Sequence, residues 1–445
     1  MNVDRMKTAG MAALLLPFAI AAHAEGLAFE ASTGVGISDN VTRVETNEID
    51  ETIATGLLKF SYDKYTKRIT ADVAGNFAYN DYLDDTYESD LIGNFAGAAS
   101  FALVEDRVFL IASDYFGQVL GDPFAPSTPD NHENLNYLTT GMRANFNFTP
   151  ALRFEAGGSY AVATYETTLL DSTNVIWDAG LTRTMSSSST IGLNVRQAEF
   201  EYDDDVVDAT NYDQSEGFLR YTVDGARTKL SIDAGYGRID RDVAGVDSGL
   251  LFRVEAARSL SGRSTLTFDA GQEFSNSAAA FASSQSGQVL GLASESGQQT
   301  GYPFLNQHAS LSWDILGART GITVAASWQK QVYDDLTFFD QSFTELAVTA
   351  SRDWTPTLST DLNLSYGEGH FELRGGNYSD LETGLSLKWN MTRHLALSAT
   401  YDYLKRQSNT TGGDYTENRA WLLIVWQQGA PRGTMRPPQF TDQGS

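Results

Sequence analysis

The 445-residue chain contains no cysteine. That excludes a disulfide framework, a thiolate metal site and a lipid anchor on a cleaved N-terminal cysteine. Cations are scarce: 31 Lys and Arg stand against 57 Asp and Glu, a formal net charge of −26. Phosphate backbones need a cationic face, so nucleic acid is excluded as a non-specific partner. Beyond residue 25 no apolar run approaches the roughly 18 residues that a membrane helix needs. The five histidines (His23, His132, His308, His370, His394) are scattered, and none is spaced from another as zinc ligands are. There is no G-x-S-x-G elbow and no phosphate-binding Walker loop. These absences point away from an enzyme and from any bound cofactor or metal.

What is present begins with an export signal. Arg5 and Lys7 precede the apolar run AGMAALLLPFAI (9–20), and Ala22-His23-Ala24 forms an A-x-A cleavage site. Residues 1–24 are therefore expected to be a secretory signal peptide cut after Ala24. An exported, acidic chain with 11% aromatics and no membrane helix is either a secreted β-protein or an outer-membrane barrel.

Alternation decides between helix and strand. Leu152, Phe154, Ala156, Gly158, Tyr160 and Val162 share one face, with Arg153, Glu155, Gly157 and Ser159 on the other. The same period of two runs through 264–274 and 381–390. Such runs are strands with one apolar and one polar face. Convincing helical periodicity is almost absent, so the chain reads as all-β.

The connections alternate too. Tight turns are expected near 63–67, 104–107, 149–151, 185–189, 224–227, 261–263, 316–319, 355–357 and 392–394. Between them lie longer polar stretches: 39–50, 80–89, 118–133, 203–213, 240–247, 276–301, 335–341, 372–378 and 407–414. Short turns on one side and long loops on the other, repeating about every 40 residues, are the layout of a transmembrane antiparallel β-barrel. The expectation is a single barrel of about 18–20 strands over 25–428, with short periplasmic turns and long extracellular loops. A Pro-rich tail follows at 429–445.

One pattern recurs along the strands. FTPALRFEAGGSY (148–160) and WTPTLSTDLNLSY (354–366) share an aromatic, Thr-Pro, a Leu and a Tyr at fixed offsets. MTRHLALSATYDY (391–403) keeps Thr392, Leu395 and Tyr403 without the proline. The pattern reads as a periplasmic turn followed by one membrane crossing. Phe146, Phe148, Trp354 and Trp389 are placed at one water–lipid boundary, and Tyr160, Tyr366, Tyr401 and Tyr403 at the other.

The start of the mature chain, FEASTGVGISDNVTRVETNEIDETIATGLLKFSYDKYTKRITADVAGNFAYNDY (29–82), carries a resemblance. A strand ending in S-D-N-V-T-R, an N-E-I-D loop, a strand, a basic turn and a Tyr-rich strand resemble the family described as Putative beta-barrel porin 2. The resemblance implies an outer-membrane barrel of a Gram-negative bacterium, set in lipid and lipopolysaccharide. It also implies an association with exopolysaccharide or capsule secretion, with periplasmic polysaccharide-export proteins as partners and a polysaccharide as cargo. It implies no catalytic residues.

By alternation the inward, pore-lining set is expected to include Asp72, Arg143, Arg153, Glu155, Asp178, Arg196, Arg220, Asp233, Arg253, Glu255, Asp269, Glu273, Asp314, Asp361, Glu382, Lys388 and Asp402. A barrel of 16 or more strands leaves an aqueous channel, and interspersed charges and hydroxyls hold sugars weakly at many sites. The acidic stretch EYDDDVVDATNYD (201–213), with Asp203, Asp204, Asp205, Asp208 and Asp213, offers oxygen ligands to hard cations but lacks the spacing of a calcium-binding loop. The region 80–90 is similar. Arg432 and Arg436 could dock the tail to a periplasmic partner. Three functions stay open: a polysaccharide exporter, a diffusion porin for small solutes, and a structural or adhesive barrel whose acidic loops bind cations. Residues alone do not decide whether 276–301 enters the lumen.

Overall fold

A computed structural model describes residues 26–203, 211–242, 245–286, 299–334, 336–372 and 375–429. The expected signal peptide with Ala24, the tail from residue 430 with Arg432 and Arg436, and Asp204, Asp205 and Asp208 lie outside those residues.

Among the described residues there are twenty strands. The first ten are β1 (Leu27–Ser38), β2 (Glu51–Tyr65), β3 (Ile69–Tyr82), β4 (Asp90–Val104), β5 (Val108–Leu120), β6 (His132–Thr149), β7 (Leu152–Tyr165), β8 (Ser172–Ser186), β9 (Ser189–Tyr202) and β10 (Tyr212–Asp224). The rest are β11 (Thr228–Arg241), β12 (Gly245–Ser261), β13 (Ser264–Ser275), β14 (Phe304–Leu316), β15 (Thr320–Val332), β16 (Gln341–Thr355), β17 (Leu358–Phe371), β18 (Asn377–Asn390), β19 (Leu395–Ser408) and β20 (Tyr415–Gln428). Each pairs antiparallel with the next, and β1 pairs with β20 from Phe29↔Gln428 to Ser38↔Arg419. The sheet is therefore a closed barrel without an edge, as a membrane strand requires.

Connections segregate by length. The turns after β2, β4, β6, β8, β10, β12, β14, β16 and β18 hold two to four residues. Most connections at the other end are longer, up to the span between Ser275 and Phe304. One expected loop is corrected: most of 240–247 is strand, because β11 runs to Arg241 and β12 begins at Gly245, whose φ of 90° suits a tight reversal.

The repeated aromatic–Thr-Pro pattern has a structural cause. Pro150 and Pro356 occupy turn positions, where no ladder hydrogen bond is required. The residue before each threonine, Phe148 or Trp354, is a bulge without a cross-strand partner. Leu103, Met185 and Leu260 occupy equivalent bulges. All five side chains are exposed, at 49–65%. After four of these bulges a hydroxyl closes the turn. Thr149, Ser186, Ser261 and Thr355 each accept the N–H two residues on at 3.2 Å. A bulge bends the strand and re-aims its extra side chain; here it sets a large apolar group at the turn end of the lipid face.

The lipid face follows from alternation. Trp177, Leu193, Leu250, Leu346, Leu385 and Leu422 are all exposed on the outer surface, at 49–69%. Phe60 stacks on Phe77 of the neighbouring strand at 6.4 Å, and Phe77 reaches Phe116 at 6.1 Å across β4, where Gly93 stands opposite it.

The lumen as candidate functional site

Each inward residue is fixed by its outward neighbours. On β10, Leu219 and Tyr221 face out, so Glu216, Phe218 and Arg220 face in. By the same alternation all seventeen expected residues fall on the inner face, from Asp72 on β3 to Asp402 on β19.

The structure gathers many of them into one ion-pair wall. Arg220 forks onto Asp233, its Nε donating to Oδ1 at 2.7 Å and its Nη2 to Oδ2 at 2.6 Å. Arg253 is the hub: its Nη2 meets Glu216 at 3.0 Å, its Nη1 meets Asp233 at 3.5 Å, and it bonds Glu273. Phe218 lies beneath both guanidinium groups, 5.3 Å from Arg220 and 5.4 Å from Arg253. Glu216 and Asp233 are 5% and 2% exposed, so their charges depend on these arginines. Arg143 stands 3.7 Å from Asp178, and Arg153 is 3.2 Å from Glu155. Among the described residues Arg196 has no carboxylate within ion-pair distance, although Asp178 and Glu216 are its register partners.

Other expected residues lie elsewhere on the wall. Lys388 on β18 binds Glu30 on β1 at 2.8 Å, across β19 and β20. Asp72 accepts the Tyr65 hydroxyl at 2.8 Å. Asp269 meets His308 at 3.0 Å and is the register partner of Glu255. Asp314 accepts Thr323 Oγ1 at 2.7 Å. Asp361 and Glu382 on β17 and β18, and Asp402 on β19, stand apart from the hub.

The lumen is not an open tube. After β13 the chain enters it as helix α1 (Ser277–Ser286), which corrects the reading of this part of 276–301 as a polar loop. Asn276 caps α1, its Oδ1 accepting the Ala279 N–H at 2.8 Å, while its Nδ2 donates to the Tyr212 hydroxyl at 2.8 Å. Ser277 Oγ accepts the Thr300 N–H and donates to the Thr300 carbonyl, both at 3.1 Å, so the two ends of the segment are clamped together. Ala278, Phe281 and Ala282 bury themselves among Tyr115, Val119, Leu135, Tyr137, Ala161 and Tyr165 on the inner wall. Burying Phe281 alone stabilises this arrangement by about 1.5–3 kcal/mol. The helix escaped the sequence because the small residues of Ser-Ala-Ala-Ala-Phe-Ala-Ser-Ser give little contrast between an apolar and a polar face.

A second segment spans the mouth. Residues 121–131, between β5 and β6, reach to β17–β20. Phe124 packs on Phe371 with ring centroids 5.0 Å apart. Arg406 forks onto Asp380 at 2.8 and 2.6 Å, lies 4.3 Å above the Tyr378 ring, and donates to the Ala125 carbonyl at 3.2 Å. Arg43 pairs with Glu417 at 2.9 Å and donates to the Ser127 carbonyl. Burial opposes its charge, but Tyr415 and Glu417 hold the Arg43 guanidinium above its ordinary value.

Beneath α1 lies a cavity of about 480 Å³, roofed by Ala279, Ala282 and Ser283. Arg143, Glu155, Asp178, Arg196, Arg220, Arg253 and Glu273 line it, so seven expected residues share one space. Tyr115, Tyr137, Phe200 and Phe218 add rings. Sequence reasoning missed Glu216, although it sits four residues before Arg220 on the same face of β10, where period two would have found it. It also missed Asn276 and Thr300, whose partners lie far away in sequence.

Comparison with known proteins gives a family for part of the chain. Residues 304–428, spanning β14 to β20, match the family model described as Putative beta-barrel porin 2, the family that 29–82 resembles. No curated protein matches the chain. Among solved structures it is similar to a mutant ferric enterobactin receptor (PfeA) from Pseudomonas aeruginosa, at 10% identity and a TM-score of 0.44, covering 91% of this chain and 81% of that one. It is also similar to the FrpB iron transporter from Neisseria meningitidis, at 7% identity and a TM-score of 0.45, covering 92% and 82%. The siderophore receptor PirA from Acinetobacter baumannii gives 8% identity and a TM-score of 0.44, covering 90% and 80%.

Proposed function

We propose that this Gram-negative outer-membrane barrel, porin-like in its last seven strands, is the exit for a secreted exopolysaccharide or capsular polysaccharide. The observation that carries the reading is the mixed-charge, hydroxyl- and ring-lined cavity; the association with such secretion is what the resemblance at 29–82 implies. Of the cavity's arginines, Arg143, Arg220 and Arg253 are already paired with carboxylates, Arg253 with three of them. A passing sugar therefore meets many weak hydrogen-bonding sites and no deep well, which is what conduction of a polymer needs. Tyr115, Tyr137 and Phe200 supply faces against which sugar rings can slide. Periplasmic export proteins would hand the polymer to the turn end, and α1 and residues 121–131 would have to move aside at the other. The barrel needs no chemistry of its own for this task.

Deleting the gene in its host tests the reading. Polymer should vanish from the medium and collect in the periplasm, and return on complementation. Undiminished secretion would contradict it. One observation favours a second reading, a diffusion porin: the cavity of about 480 Å³ under α1 is sized for a small solute. In that case deletion would slow uptake of a small sugar and leave polymer secretion intact.

A further inference from the structure

The two ends of the barrel carry opposite charge. Among the described residues, the ten connections at the long-loop end hold seventeen carboxylates and one cation, the buried Arg43. The nine turns at the other end hold seven cations and only two carboxylates, Glu105 and Asp106. This reverses the composition of a chain with 57 acidic and 31 basic residues. Arg68, Arg107, Arg227, Arg263, Arg319 and Arg393 sit in six different turns, all exposed. Of these only Arg68 has a carboxylate within ion-pair distance among the described residues, Glu105 at 3.3 Å.

We propose that this arginine ring is the capture site for the cargo, and that the cargo is a polyanion: a polysaccharide bearing carboxylate, phosphate or sulfate groups. The inference rests on the export reading and names its substrate class. Guanidinium groups bind such oxyanions in a planar fork. Neighbouring turns are two strands apart, roughly 10 Å, against a screening length of about 8 Å at physiological salt. Adjacent arginines therefore act nearly as separate weak sites, and a flexible chain engages several at once. Inside, Arg196 is the one cation of the cavity without a carboxylate partner among the described residues, and so the next station. At the far end the carboxylates offer a polyanion no binding site, so the emerging chain is not held there.

The arginines lie in the turns, beyond the strand ends, which favours a polymer over lipid. At the turn end the outward-facing cations of the strands are a different set, Lys64, Arg183, Arg258 and Arg352, each the last such cation of its strand before the turn.

The test uses the full chain in nanodiscs with fluorescent polygalacturonate and, as a neutral probe, dextran of similar length. Polygalacturonate should bind and weaken steeply from low to high salt. It should bind at least about tenfold more weakly to the variant R227S/R263S/R319S/R393S, whose unchanged heat-dependent gel mobility reports an intact barrel. Dextran should bind far less and be indifferent to the variant. Equal binding of both probes, or an unaffected variant, overturns the inference. So does failure of polygalacturonate to bind while phosphatidylglycerol-rich discs stabilise the wild type more than the variant, which assigns the arginines to lipid. Secretion that needs the protein but proceeds normally in the quadruple variant sinks this inference alone. Capture of polygalacturonate with secretion indifferent to the gene would sink the export reading instead.

Discussion

Asn276 joins α1 to the inner wall at β10: its amide donates to the Tyr212 hydroxyl at 2.8 Å while its carbonyl caps the helix. One side chain thus holds both the shape of α1 and its place. Replacing an N-cap costs about 0.5–2 kcal/mol, equivalent to roughly 2- to 30-fold in an opening equilibrium. The chain has no cysteine, so Arg196→Cys places a unique thiol in the cavity beneath the helix. Adding Asn276→Ala should raise labelling of that thiol by an extracellular maleimide within this range. An unchanged rate would mean that the cap does not hold α1 in place.

Arg253→Ala should be among the most destabilising changes in the barrel. It strips Glu216 and Asp233, both almost fully buried, of a shared counter-charge. Breaking a buried pair from one side costs about 3–5 kcal/mol. The urea midpoint of the micelle-bound barrel measures it. Adding Glu216→Gln to Arg253→Ala should recover part of the loss, because one stranded charge is then removed.

Lipid and lumen alternate residue by residue, which gives a paired test on β17. Leu364 faces out and is 41% exposed, while Ser365 faces in. Leu364→Lys should cost about 2–4 kcal/mol, the penalty of a lysine near mid-membrane. Ser365→Lys should stay within about 1 kcal/mol, since the lumen is polar. Equal costs would place β17 on the wrong face.

The same periodicity explains why so much was legible. Which side of each strand turns inward was readable because one face is apolar and a one-residue slip would turn all of it inward. Strand count, turn placement and the closed sheet followed from the spacing of turns. What stayed hidden depends on contacts between distant residues. Arg406 meets Ala125, and Arg43 meets Ser127; no local pattern encodes either. The helix was hidden because its run of alanine and serine lacks the contrast of apolar and polar faces that marks a surface helix. The bulges were half visible: the aromatic and Thr-Pro repeated, but a skipped register position leaves no trace in a single sequence.

The bulged turns are testable one by one. Thr355 Oγ1 accepts the N–H groups of Thr357 and Leu358 at 3.2 and 3.0 Å. Thr355→Val removes both bonds and should lower stability by about 0.5–1.5 kcal/mol. Thr355→Ser, which keeps the oxygen, should remain near wild type. A valine variant as stable as the serine variant would deny the hydroxyl any part in closing the turn.

The central claim is that the lumen is the pathway and that α1 closes it. Single-channel conductance in planar bilayers tests this most directly, comparing the wild type with N276A/S277A, which lacks both the Tyr212 tie and the Ser277–Thr300 clamp. The expected result is a small conductance for the wild type and larger, longer openings for the variant. Identical conductance in the two would contradict the account.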